Sequence, residues 1–328
     1  MADGFDGSHT TPLLPFNNLT AGADLGSAFF VPPGGNVFYV RGNGTATTEY
    51  DNDPAGIRGQ LHASVQVALN STVANRGDVI LVFPGHTESI SAADGWSNLK
   101  AGTRIIGMGT GNSRPVITWT AATSTVLMDV ANVSVQNIIM QWAGDPASTT
   151  ALTVAAPITV SAAGCSIKGC RINAGVDADQ LVTIGLTTTA AADDFTVQGN
   201  QLHSATTAEA TTFMQFVGAD RLQFHGNQIV GATSAVAVGC IRFLTTASTN
   251  IKMFGNTVRN NKAASEQAIT GMAAMSGEVD HLFMTVLSNA AGALTGAFST
   301  PADVTFGRQC YVANTIGERA ALFGTESA

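Results

Sequence analysis

Short runs in which apolar residues alternate with polar ones recur through most of this chain, and each run closes on a glycine or asparagine before one further apolar residue. The clearest copies are VSVQNII from Val133, CSIKGCRI from Cys165, FTVQGNQL from Phe195, LQFHGNQI from Leu222 and IKMFGNTV from Ile251. Their second apolar positions fall at 135, 167, 197, 224 and 253, so the pattern returns every 27 to 32 residues. Strand residues two apart share a face, which turns Val197, Phe224 and Met253 inward and Gln198, His225 and Phe254 outward. The Gly-Asn pairs at 199–200, 226–227 and 255–256 suit a corner, because both residue types accept left-handed backbone angles. Asparagines at one corner can also hydrogen-bond from coil to coil.

A single coil of this kind cannot bury its inward face, whereas stacked coils share a continuous core. The period therefore predicts an all-β fold, a right-handed parallel β-helix of about eight coils from Gly77 to Asn289, within a 77–290 segment. Upstream coils are expected at Ile80 and Ile106 and a downstream one at Met284. Apolar residues at 61, 65, 69 and 73 have helical spacing and predict an amphipathic helix over 60–73 that caps the stack, in a 57–76 segment ending near Gly77. Residues 1–56 do not fit the coil pattern and are expected to be an extended docking arm with apolar runs at 28–31 and 37–41. Residues 291–328 are expected to cap the last coil or make a subunit contact.

Composition narrows the functional classes. Charged residues are 12% of the 328, about half the usual share, against 45% hydrophobic. The net charge of −8 comes without a basic cluster, which argues against nucleic-acid partners. No 18-residue apolar stretch suggests a membrane span, and the first residues lack the features of an export signal. Cys165, Cys170, Cys240 and Cys310 show no metal-binding spacing and are expected as buried free thiols, with no cofactor implied.

The succession of a capping helix, GDVILVFPGHTESI from Gly77, GTRIIGMGTGNSRPVITW from Gly102 and the Gly-Asn coils resembles the pectin-lyase-like β-helix superfamily over about 57–290. Within it, VFYVRG from Val37 and GIRGQ from Gly56 look like β-helix proteins of phage structural regions. The superfamily holds lyases, hydrolases, tailspikes and non-catalytic virion proteins, so the resemblance implies a fold and leaves the activity open. An inverting hydrolase would need an acid and a base roughly 6.5–9.5 Å apart, and Asp193 and Asp194 are the nearest pair. A lyase would need clustered oxygen ligands for calcium and a basic residue, for which Asp177 and Asp179 beside Lys168 and Arg171 are the approximation. His86 and Glu88 would share a face of one strand. FHG from Phe224 only partly echoes the hydrolases' Gly-His-Gly, and GMGTG from Gly107 lies between strands and reads as a turn.

The expectation is a non-enzymatic virion structural protein, a capsid decoration or head-projecting spike. By the resemblance it would be a homotrimer docking on other virion proteins. Phe29, Phe30, Val31, Phe38, Tyr39, Trp96, Trp119 and Trp142 are the expected docking residues. The alternatives are a polysaccharide-degrading tailspike or lyase using Asp177, Asp179, Asp193 and Asp194, and a glycan-binding module with exposed aromatics.

Overall fold

The computed structural model describes residues 34–42, 61–286 apart from short interruptions at 146–149, 177, 236, 245, 264–266 and 271–274, and parts of 303–321. These residues form an all-β parallel solenoid of about seven turns, close to the eight expected, with very little helix. Three parallel sheets make its walls. Sheet A runs through strands 37–40, 79–82, 104–107, 134–136, 166–168, 196–198, 223–225, 248–254, 275–280 and 303–306. Sheet B runs from 87–90 through 116–119, 139–141, 171–173, 201–203, 228–233, 257–260 and 283–285 to 311–313. Sheet C covers the middle turns, from 126–128 to 269–270.

The register explains the core. Ile80, Ile105, Val135, Ile167, Val197, Phe224, Met253 and Val279 pair in sequence along sheet A, and every one of them is buried. Met140, Ile172, Leu202, Ile229, Val258 and Met284 form the matching column of sheet B. The five motif copies thus align as the alternation predicts. Two outer markers shift. The coil before Val135 is anchored on Ile105, so Ile106 faces out; with two adjacent isoleucines, alternation cannot choose between faces. Beyond Met253 the partner is Val279, and Met284 belongs to sheet B.

Asparagine stacking at the corner between sheets A and B is present as the motif suggested. Gly199, Gly226 and Gly255 have φ of 61° to 66°, and the asparagine after each is 1% exposed. The Asn200 side chain donates to Ile167 O at 2.9 Å and to Asn227 Oδ1 at 3.1 Å, while Asn227 donates to Val197 O at 2.9 Å and to Asn256 Oδ1 at 3.0 Å. Each Oδ1 also accepts the backbone N–H of the preceding coil's corner, from Cys170, Asn200 and Asn227 in turn. The stack therefore satisfies corner groups that strand pairing leaves over.

The ends depart from the expectation. The helix α1 spans Val65–Leu69 rather than 60–73, and Leu61 lies in a short strand, Leu61–His62, on the edge of sheet A. Ser64 caps α1 through its side chain, which accepts from Val67 N at 3.2 Å, so the helix cannot start earlier. Val65, Ala68 and Leu69 plug the core as a cap should, while Val73 is exposed. The solenoid also begins ahead of α1: Val37–Val40 pairs in parallel with Val79–Val82, inside the segment expected as an extended docking arm. It continues past 290, where 303–306 and 311–313 extend sheets A and B in parallel and 319–321 then pairs antiparallel with 311–313.

Size matching in the interior is tight where a tryptophan enters it. A Cβ built on Gly185 would lie 2.4 Å from the Trp142 ring and 2.5 Å from Phe213 O. Gly185→Ala is expected to lower stability by about 1–3 kcal/mol through overpacking, read as a lower denaturant midpoint.

Candidate functional site

The predicted acidic pair stands at the turn leading into sheet A, where three successive coils place polar residues in one column. Asp193-Asp194, Asp220-Arg221 and Thr249-Asn250 occupy equivalent positions just before the buried Phe195, Leu222 and Ile251. Asp194, Arg221 and Asn250 all have positive φ, 53° to 55°, a conformation that an arginine adopts only under constraint. The constraint is visible. Arg221 forks onto Asp194, Nε to Oδ1 at 2.7 Å and Nη2 to Oδ2 at 2.9 Å, and its Nη1 contacts Asp220 Oδ2. Asp220 Oδ1 accepts from Thr249 Oγ1 at 2.6 Å and from Asn250 Nδ2 at 2.8 Å. Asp193 Oδ1 accepts the Asp220 N–H at 3.0 Å.

This geometry sets the protonation. The Arg221 fork holds the Asp194 carboxyl below its ordinary value, and hydrogen bonds from Thr249 and Asn250 do the same for Asp220. A general acid for glycoside cleavage needs the opposite shift. The column fastens coil to coil. Asp220, Arg221, Thr249 and Asn250 do not stand out in the sequence as site residues, although Asp220-Arg221 follow Asp193-Asp194 by 27 residues and Thr249-Asn250 follow Asp220-Arg221 by 29, at the period of the repeat.

The lyase candidates are not on this column. Asp179 is exposed and precedes strand 180–182, which pairs with 152–154 in a separate two-stranded sheet. Asp177 lies outside the described residues. His225 faces out beside Gln223, at 3.1 Å, and is half-buried; burial, with Lys252 adding to it, lowers its pKa.

His86 and Glu88 do share a face, and it is the inner one. His86 Nε2 lies 3.1 Å from Glu88 Oε2, which also accepts the Val65 N–H at 2.7 Å. Glu88 thereby satisfies the first amide of α1 and ties the cap to the second wall.

The aromatic docking residues need correction. Trp96, Trp119 and Trp142 are fully buried, with Trp119 Nε1 donating to Pro157 O at 2.8 Å, so they form no outer ladder. Their large rings fill the core instead. Phe38 is also in the core, and Tyr39 is buried in a second apolar cluster with Val79, Leu81, Ile106 and Met108 on the outward positions of sheet A. Phe29, Phe30 and Val31 lie outside the described residues.

All four cysteines are buried free thiols, as expected, and burial pushes Cys170 up to about 11. Among the described residues no three His, Cys, Asp or Glu side chains gather at metal-binding range, and no helix is long and apolar enough to cross a membrane. No family model, curated protein or solved structure matches the chain.

What the surface offers instead is order. The outward residues of sheet A include Ser134, Gln136, Ser166, Thr196, Gln198 and Gln223, set in register one coil apart. Sheet C continues the style with Thr159, Thr187 and Gln215. Charged residues share these columns: Arg104, Lys168 and Lys252 on sheet A and Arg242 on sheet C, while Ser134 and Ser166 are themselves buried.

Proposed function

We propose that this chain is a rigid, non-catalytic structural protein of a phage particle, a capsid decoration or head-projecting spike that docks on other virion proteins and assembles as a homotrimer. The observation that carries the structural part is the Asp193–Asp194–Asp220–Arg221 column. Of the acidic pair, Asp194 is held below its ordinary pKa by the Arg221 fork and Asp193 accepts the Asp220 N–H, so both are bonded into an inter-coil fastener. Buried asparagines stacked at the next corner serve the same end. The phage assignment rests on the resemblance of the 37–60 segment and of the coils.

The test is the composition of intact particles. The chain is expected at a fixed stoichiometry on purified virions, visible as a projecting rod in cryo-electron microscopy and retained after washing. Purified chain that releases unsaturated or reducing sugars from a capsular polysaccharide, with activity lost in Asp194→Asn, would replace this reading with the tailspike one.

A further inference from the structure

The corner where sheet A passes into sheet B on the coil of Ile167 gathers three cations. Lys168 and Arg171 flank the Gly169-Cys170 corner, and Arg114 reaches it from the 3-10 turn Gly111–Ser113. Arg114 donates through Nε to Gly111 O and through Nη1 to Gly169 O, both at 3.0 Å. Arg171 donates through Nη1 to Asn112 Oδ1 at 2.8 Å. All three acceptors are neutral.

The strand register supplies no counter-charge either. Lys168 lies between Gln136 and Gln198, and Arg171 lies between Ile139 and Gln201. Among the described residues, ion pairs engage Arg76, Arg221, Lys262, His86 and His281, and none engages these three. Burial lowers the pKa of Arg114, against a smaller opposing effect of Cys170, and the positive charge of Arg171 adds to the lowering. On a chain of net charge −8, two arginines held at one corner by neutral acceptors, with Lys168 on the adjoining strand, keep donors and positive charge for an anion.

We propose that Arg114, Lys168 and Arg171 form an oxyanion-binding site for a carboxylate or sulfate group. Each guanidinium has five N–H donors and uses one or two of them in the bonds above, which leaves the remainder for a ligand. The lysine adds a mobile point charge beside them. The site stands independently of the virion reading.

The test is thermal unfolding in sulfate against chloride at matched ionic strength, paired with sedimentation velocity. Sulfate is expected to raise Tm in the wild-type chain, since a ligand of the folded state stabilises it. Lys168→Gln and Arg171→Gln are each expected to weaken sulfate affinity about tenfold. Both side chains lie at the surface, and Gln201→Ala beside Arg171 should keep the full response. If the wild-type chain self-associates in chloride and either sulfate or Arg171→Gln dissociates it, the oxyanion is a carboxylate of a second copy. A Tm and a sedimentation profile that respond alike to both salts would overturn the site. So would a sulfate response that persists undiminished in the Lys168→Gln, Arg171→Gln double variant.

Discussion

Replacing Asn227 by alanine is expected to lower the free energy of unfolding by about 3–5 kcal/mol, from two or three buried groups orphaned at about 1–3 kcal/mol each. Asn227 is the middle of the corner stack. Its Oδ1 accepts from the Asn200 backbone at 3.0 Å and the Asn200 side chain at 3.1 Å, and its amide donates to Val197 O and Asn256 Oδ1. Truncation strands the Asn200 N–H and the Val197 carbonyl, both too deep for water to rescue at 1% and 0% residue exposure. Asn227→Leu should not recover the loss. Apolar residues hold the same corner position at Cys170 and Leu282, but there they end the stack rather than interrupt it. Urea titration of Asn227→Ala and Asn227→Leu checks this, and a loss below 1 kcal/mol in either would show that the stack adds little.

The second large effect is expected at Asp78, at the foot of the solenoid. Its side chain is fully buried and accepts four hydrogen bonds: from Asn36 N at 2.8 Å, Val73 N at 2.7 Å, Arg76 Nε at 2.6 Å and Arg76 Nη2 at 2.7 Å. One carboxylate thus joins the chain entering the first strand, the end of the cap and the start of strand 79–82. Asp78→Ala is expected to cost about 3–5 kcal/mol, as for breaking a buried ion pair. Burial raises the Asp78 pKa, but the Arg76 bonds and the two amides outweigh it and leave it below the ordinary value. A depressed folded pKa means that the stabilisation is whole above the unfolded value of roughly 3.9 and is lost as pH falls through the folded one. The gap between wild type and Asp78→Ala should therefore narrow in acid. A gap independent of pH would sink the ionic account.

These two residues show what the chain discloses by itself. Asn227 was legible, because the Gly-Asn pair repeats at the coil period and stacking follows from the period alone. Asp78 was not, since besides its near neighbour Arg76 its partners lie 5 and 42 residues away on elements outside the repeat. The same division runs through the candidate site. Asp193 and Asp194 stood out as carboxylates, but their partner Arg221 was hidden by reading acids singly instead of down the columns that stacking creates. The tryptophans differ in another way: amphipathic rings suit an interface and a core equally, and only the packing around them, with Gly185 leaving its space to Trp142, decides between them. At the ends the pattern loses power because Ile105 and Ile106 are both apolar and because the strand at 37–40 precedes the helix that seemed to open the fold.

The pairing of each coil with the next has a mechanical corollary. Hydrogen bonds between parallel strands of successive coils run along the long axis of the stack, so tension applied end to end would load one coil boundary at a time, as in peeling tape. Each boundary that yields frees 26 to 32 residues, judged from the paired positions 135, 167, 197, 224, 253 and 279. Fully drawn out, that is a step on the order of 100 Å. A pull across the axis meets many boundaries in parallel. Such a rod resists sideways force far better than stretching.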